Sequence, residues 1–159
     1  VDIEGGNPLP MVPIVFSTLL TKAVKSLAGR SMDERILTHF SESFFNRLDS
    51  LSFLSYLNDD GFPVIVPVIQ CQAVGSGRLV FHPGAYRNEL LKLKQGMELS
   101  LFCISMEMES VLTFGVFEGF RRHGGIVLGR MDIERVYNSM PSNHGWIYPE
   151  VPLKPVVDF

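Results

Sequence analysis

The stretch whose residue types and spacing could do chemistry runs from Asp59 to Asn88, DDGFPVIVPVIQCQAVGSGRLVFHPGAYRN. An apolar run leads to a Pro83-Gly84 break. One basic residue, Arg87, follows at the start of a helix-type pattern. The first turn of a helix offers unpaired N–H groups and the positive end of its dipole, so an anion there meets donors already in place. A guanidinium beside it adds a charge-assisted, bidentate pair. The chemistry suggested is a grip on a phosphate-bearing ligand. Read from the residues alone, Arg87 is more simply a solvated helix residue.

Other chemistry finds little support. No GxGxxG, GxxxxGK[ST], HExxH or GxSxG is present. His39, His82, His123 and His144 share no metal-ligand spacing and read as surface or loop residues, His82 less clearly so than the rest. The acidic pairs Asp59-Asp60 and Glu107/Glu109 sit at turns and read as solvated. Catalytic residues are unknown, no metal site is expected, and a cofactor would have to carry any reaction. Cys71 and Cys103 lie inside apolar runs without a CxxC partner. They read as reduced core residues, with one disulfide or a reactive thiol as the alternatives.

The elements around this stretch follow from periodicity and turn residues. Residues 1–10 hold two Gly and two Pro and read as an extended arm. The spacing of Ile14, Leu19, Ala23 and Leu27 predicts an amphipathic helix over residues 12–28, ended by Gly29. Ser31 and Glu34 form a capping box for a second helix running to about Arg47, with Ile36, Leu37, Phe40, Phe44 and Leu48 on one face. From residue 51 the period becomes two. LSFLSYLN, Phe62–Val74, Arg78–His82, Met97–Ser105, Val111–Phe120 and Ile126–Tyr137 read as six strands. Asp59-Asp60-Gly61, Gly75-Ser76-Gly77 and residues 121–125 are the turns. Pro67 marks an edge, a bulge or an unpaired stretch, and Gly115 and Gly119 mark bulges or close approaches of backbone. Residues 86–94 read as a helix between the third and fourth strands, capped by Gly96. The Pro-rich tail reads as an extended segment over a surface.

The expected fold is mainly β with added helices: a six-stranded antiparallel barrel, two N-terminal helices and one inter-strand helix. Closing the sheet removes exposed edges. The 159 residues make one domain, with an arm and helices over 1–50, a core over 51–137 and a tail over 138–159. The formal charge of −3 argues against nucleic acid as a partner. The apolar run Met11–Leu20 is about half of what a bilayer requires, so no membrane span is expected. The sequence begins at Val1 rather than Met, so it is trimmed or processed, and missing upstream sequence also fits. No signal peptide is evident in it, and the expected compartment is a reducing cytoplasm.

The order of elements resembles the FMN-binding split-barrel superfamily, which includes pyridoxamine 5′-phosphate oxidases and small FMN-binding flavoproteins. The resemblance covers about Leu51 to Tyr137. It rests on the strand, D-D-G-x-P turn, P-V strand, G-x-G turn, short strand, loop and basic residue opening a helix, then a strand and VLTFGVFEGF. It implies a split barrel that forms a homodimer and holds FMN at the subunit interface, as an oxidoreductase or electron carrier with an unknown small-molecule or protein partner. Position by position, it places Pro67, Val68 and Ile69 against the flavin ring, largely through backbone. Phe81, His82, Pro83 and Gly84 fall along the ribityl chain and phosphate, and Arg87 and Asn88 on the phosphate. Trp146 is either a tail anchor or a cap over the ring. HPGAYRN is poorer in basic and hydroxyl residues than the oxidase branch, and that branch's C-terminal Arg and His residues have no match, so pyridoxamine phosphate oxidation is not supported. The alternative is a non-catalytic binding or dimerisation module that has lost FMN or binds haem or a deazaflavin. A structural partner domain that docks another chain through helix 12–28 and the tail is a third reading.

Overall fold

Alternating side chains build the sheet. In β1 (Ser50–Leu57), Ser50, Ser52, Leu54 and Tyr56 turn inward, and Leu51, Phe53, Ser55 and Leu57 turn outward. The same two-residue period runs through β5 (Glu98–Ser105), β6 (Ser110–His123) and β7 (Ile126–Asn138). The computed structural model describes residues 35–47, 49–68, 71–84, 86–123, 125–138 and 145–150. The expected arm over 1–10, the helix over 12–28, the capping box Ser31–Glu34, Ile69 and most of the tail lie outside the described residues.

The described residues form one antiparallel sheet of eight strands, not six. The remaining members are β2 (Pro63–Pro67), β3 (Gln72–Ala73), β4 (Arg78–Phe81) and β8 (Gly145–Tyr148). The order is β2-β1-β5-β6-β7-β4-β3, with β8 on β7. Two causes raise the count. The run expected as one strand over 62–74 divides, because Pro67 has no N–H for the ladder and the chain leaves the sheet after it. Val68 N–H then donates to the Ser52 carbonyl and Cys71 N–H to the Val68 carbonyl. The tail also contributes a strand. No ladder joins β2 to β3 in the hydrogen-bonded path, so the sheet stays open and the expected closure is not seen.

Turn chemistry sets the registers. The Asn58 side chain accepts from the N–H groups of Asp60 and Phe62, and Gly61 takes φ +79°. This aligns β1 with β2 so that Phe53 faces Pro67 and Leu57 faces Pro63. Gly115 and Gly119 sit at the two register shifts between β6 and β7, as their bulge assignment requires.

Both helices are shorter than their periodicity predicts. α1 spans His39–Phe45, and Thr38 caps it through the Ser41 N–H at 3.1 Å. Ile36 and Leu37 are buried ahead of it. The Leu37 N–H donates to the Ser76 carbonyl in the β3–β4 turn, which holds that segment out of the helix. α2 is a single turn, Arg87–Leu90. Downstream, Gly96 N–H donates to the Phe117 carbonyl and Phe117 N–H to the Met97 carbonyl. That draws the chain onto β6 before a second helical turn can form.

The main core lies on one face of the sheet, and Val74, Val80 and Leu128 form a smaller cluster. Phe44 and Phe45 of α1 are buried, as are Leu79, Phe81, Leu101, Phe117 and Met131. The ring of Phe81 stacks on Phe117 at 6.1 Å and meets Phe120 edge-on at 6.4 Å. Cys71 and Cys103 are free and buried in the same cluster. Burial pushes both thiols up, Cys71 strongly, so both stay protonated and unreactive.

Candidate functional site

The segment after β4 forms a cleft of about 280 Å³ lined by Gly84, Tyr86, Arg87, Asn88 and Glu89. Its position is fixed from behind. Leu90 and Leu93 are anchored in the core. The Tyr56 hydroxyl donates to the Glu89 carbonyl at 3.3 Å, which ties α2 to β1. Lys94 pairs with Asp59 at 2.8 Å, joining the end of the segment to the β1–β2 turn. Arg87 and Asn88 are exposed, and Arg87 makes no ion pair with any described residue.

His82 stands at the entrance to this loop. Its Nδ1 accepts the Gly84 N–H at 3.0 Å, which leaves the proton of the neutral ring on Nε2. Partial burial lowers its pKa from 6.5, and the positive charge of Arg87 lowers it further. The sign of the linkage follows. Well above pH 6.5 His82 is neutral whether the chain is folded or unfolded. As pH falls below that value, the unfolded chain takes up the proton first, so stability drops until the folded ring is also charged. In an NMR titration, His82 is expected to titrate below the free-histidine range. In His82→Asn the loss of stability over that interval is expected to shrink.

The structure brings part of the predicted site together. Gly84, Arg87 and Asn88 line one cleft, and His82 and Pro83 lead into it. The side chains of Val68 and Phe81 are fully buried in the core. Pro67 closes β2 opposite Phe53, on the sheet margin, and is half-buried. Because α2 is one turn long, it brings no helix dipole of consequence to a phosphate, which removes that part of the electrostatic expectation. What remains is the Arg87 charge and loop donors.

Sequence reasoning missed a second feature. The outward face of β1, β2, β5 and β6 is apolar, with Leu51, Leu57 and Ile65 exposed at 40, 61 and 68%. Half-buried Phe53, Phe102 and Ile104 share it, and the register places Ser55 and Ser100 opposite each other there. A cleft of about 400 Å³ opens on this face, lined in part by Ser55, Leu57, Pro63, Ser100, Phe114 and Arg135. Trp146 of β8 packs on Phe114 and Tyr137 at 5.8 and 5.5 Å, and the Arg135 guanidinium lies over Phe114 at 4.8 Å. Trp146 therefore anchors β8 to the sheet, and contact with a flavin is a matter for ligand binding. The signal for this face was present in the apolar residues at both parities of LSFLSYL, since a strand with water on one side alternates with polar residues.

Among the described residues no group of three or more His, Cys, Asp or Glu is placed to hold a metal, and no helix is long and apolar enough to cross a membrane.

No protein-family model matches the sequence, and no curated protein matches it significantly. Solved structures do. A crystal structure of a HupZ variant from Group A Streptococcus superposes with TM-score 0.54 at 13% identity, covering 64% of this chain and 98% of that one. HupZ itself from the same organism gives 0.51 at 12%, covering 69% and 98%. An FMN-binding protein from Syntrophomonas wolfei aligns more loosely, with TM-score 0.46 at 10% identity over 82% and 97% of the two chains. At these identities the likeness is one of fold, and the two HupZ structures carry it. The chain shares the fold of these two HupZ structures.

Proposed function

We propose that the protein binds FMN, with the phosphate held in the Gly84–Glu89 cleft by Arg87 and Asn88. The supporting observation is that Arg87 faces a preformed cleft while making no ion pair with a described residue. The residues fit the phosphate end of the cofactor. A cleft of about 280 Å³ is smaller than the pockets that enclose whole cofactors, so the flavin ring needs a further wall. A second copy docked on the apolar face of β1, β2 and β5 supplies one, which makes the working form a homodimer. Bound FMN would supply hydride or single-electron transfer. The chain's own part is to hold the phosphate and shield the ring from water.

The thinness of the grip supports a second reading. Among the described residues Arg87 is the only cation lining the cleft, and Pro67 and Pro83 lack the N–H groups that could serve a flavin. On that reading the protein is a split-barrel binding or dimerisation module that takes haem, a deazaflavin or no cofactor.

One experiment separates them. The purified protein is titrated with FMN, followed by flavin absorbance and fluorescence, while sedimentation gives its mass. The expected result is saturable binding to a dimer, weakened about tenfold or more in Arg87→Ala, the scale of one charge-assisted contact. Binding should also raise the pKa of His82, because the phosphate offsets the Arg87 charge that lowers it. No FMN binding, or binding unchanged in Arg87→Ala, would sink the proposal. Uptake of haem or deazaflavin in its place would select the second reading.

A further inference from the structure

On the face of β4, β7 and β6 opposite Phe81, where Val80 and Leu128 are buried in a small cluster of their own, three arginines lie along one diagonal. Arg130 is the middle one. It faces Val80 across β4 and Gly119 across β6. Arg78 stands two residues from Val80, and Arg121 two residues from Gly119. Directly paired residues share a face of the sheet, and diagonal neighbours come within about 7–8 Å. Arg78 and Arg121 therefore flank Arg130 from opposite sides.

The charges do not balance at Arg130. Asp132 is engaged by Arg78 through two contacts, Nε to Oδ1 at 2.6 Å and a second guanidinium nitrogen to Oδ2 at 3.0 Å. Glu118 is the other acid near Arg130, and among the described residues it forms no ion pair with it. The Arg130 Nε is buried and lacks a hydrogen-bond partner. Opposite it, Gly119 contributes no side chain to cover the guanidinium. A buried donor on a charged group costs stability unless something accepts from it. Desolvation together with the charges of Arg78 and Arg121 lowers the pKa of Arg130, so the same surroundings penalise its charge. The Nε itself is closed to solvent, but Arg130 as a whole is half-buried, and an anion beside its guanidinium would offset the charge penalty.

We propose that this face is an anion site in which Arg130, flanked by Arg78 and Arg121, receives a phosphate group. Arg130 supplies the fork of donors and Arg121 a second contact. Arg78 is held in position by Asp132. The site is independent of the FMN reading, which uses Arg87 in a different cleft. A phosphate group can arrive as the free ion or on a larger molecule, and both share this chemistry.

The test is thermal unfolding and calorimetric titration with inorganic phosphate, against chloride at matched ionic strength. It uses the intact protein, Arg130→Gln, Arg87→Ala, these two combined, and Arg122→Gln. Arg122 projects from the other side of β6 and serves as the control. Phosphate is expected to stabilise the parent, Arg87→Ala and Arg122→Gln saturably. In Arg130→Gln its affinity is expected to fall about tenfold or more. In phosphate-free buffer Arg130→Gln should be at least as stable as the parent, because it removes an unpaired, desolvated cation. A phosphate monoester is the parallel probe. Tighter binding than phosphate itself assigns the site to a group on a larger molecule, and equal binding to the free ion. Absence of a phosphate response in the parent, its persistence when Arg130→Gln is combined with Arg87→Ala, or its complete loss in Arg87→Ala alone would overturn the proposal.

Discussion

Phe81→Ala is expected to lose about 3–5 kcal/mol of stability, measured as the shift in urea midpoint at constant slope. The ring is fully buried and anchors the aromatic cluster with Phe117 and Phe120. It also lies against the backbone of Gly129, where a Cβ would stand 2.6 Å from its Cε2 atom. Removing the ring empties space on several sides, and the sheet cannot collapse into it because β4 is fixed to β7 through four paired positions. The result bears on function as well. The resemblance sets Phe81 beside the ribityl chain, yet its side chain serves the core. A loss of FMN binding in Phe81→Ala would therefore report unfolding and would say nothing about contact with the cofactor. Arg87→Ala removes an exposed side chain and leaves the fold intact, so the two variants together separate stability from binding.

The second large effect is expected at Gly115. A Cβ there would fall onto the carbonyl oxygen of Asp132, with the carbonyl carbon at 2.9 Å and the Ile133 Cα at 3.0 Å. All three are backbone atoms of β7 and cannot rotate aside. Gly115→Ala must therefore open the longest pairing in the sheet, at a cost of about 3 kcal/mol, the upper end for overpacking. Gly61→Ala is the comparison. It has open space around it and φ +79°, so it meets only the left-handed backbone penalty of about 1–2 kcal/mol. Equal losses in the two variants would show that β6 and β7 are not held together at the bulge as described. Gly115→Ala should also disturb the Arg78–Asp132 pair, because the displaced carbonyl belongs to Asp132.

Much of the fold was legible because its signals are local. The Asp59-Asp60-Gly61 and Gly75-Ser76-Gly77 turns, the bulge glycines and the placement of Pro67 on a margin each follow from the conformational limits of a few residues. The errors arose where a distant partner decided the outcome. α2 ends early because Gly96 and Met97 bond to Phe117, some twenty positions away in sequence. α1 starts late because Leu37 bonds to Ser76. β8 was hidden in a Pro-rich tail, although Gly145–Tyr148 pairs along β7. Within the candidate site, the grouping of Gly84, Arg87 and Asn88 was readable as one loop, since contiguous residues share a cleft easily. The Arg78–Arg130–Arg121 diagonal was not, because it depends on the registers of three strands set by two bulges.

The margins of the sheet carry a consequence for how copies of this chain can meet. One margin is β2, with a proline at each end. The other is β3, only two residues long. An incoming strand needs a run of free N–H and C=O groups, and neither margin offers one of useful length. Edge-to-edge growth, the route to fibrils and to mispaired aggregates, is therefore hindered at both ends of this hydrogen-bonded path, and β8, four residues long beside β7, is the remaining edge among the described residues. Contact through the broad faces is made by side chains and comes apart without breaking any backbone ladder.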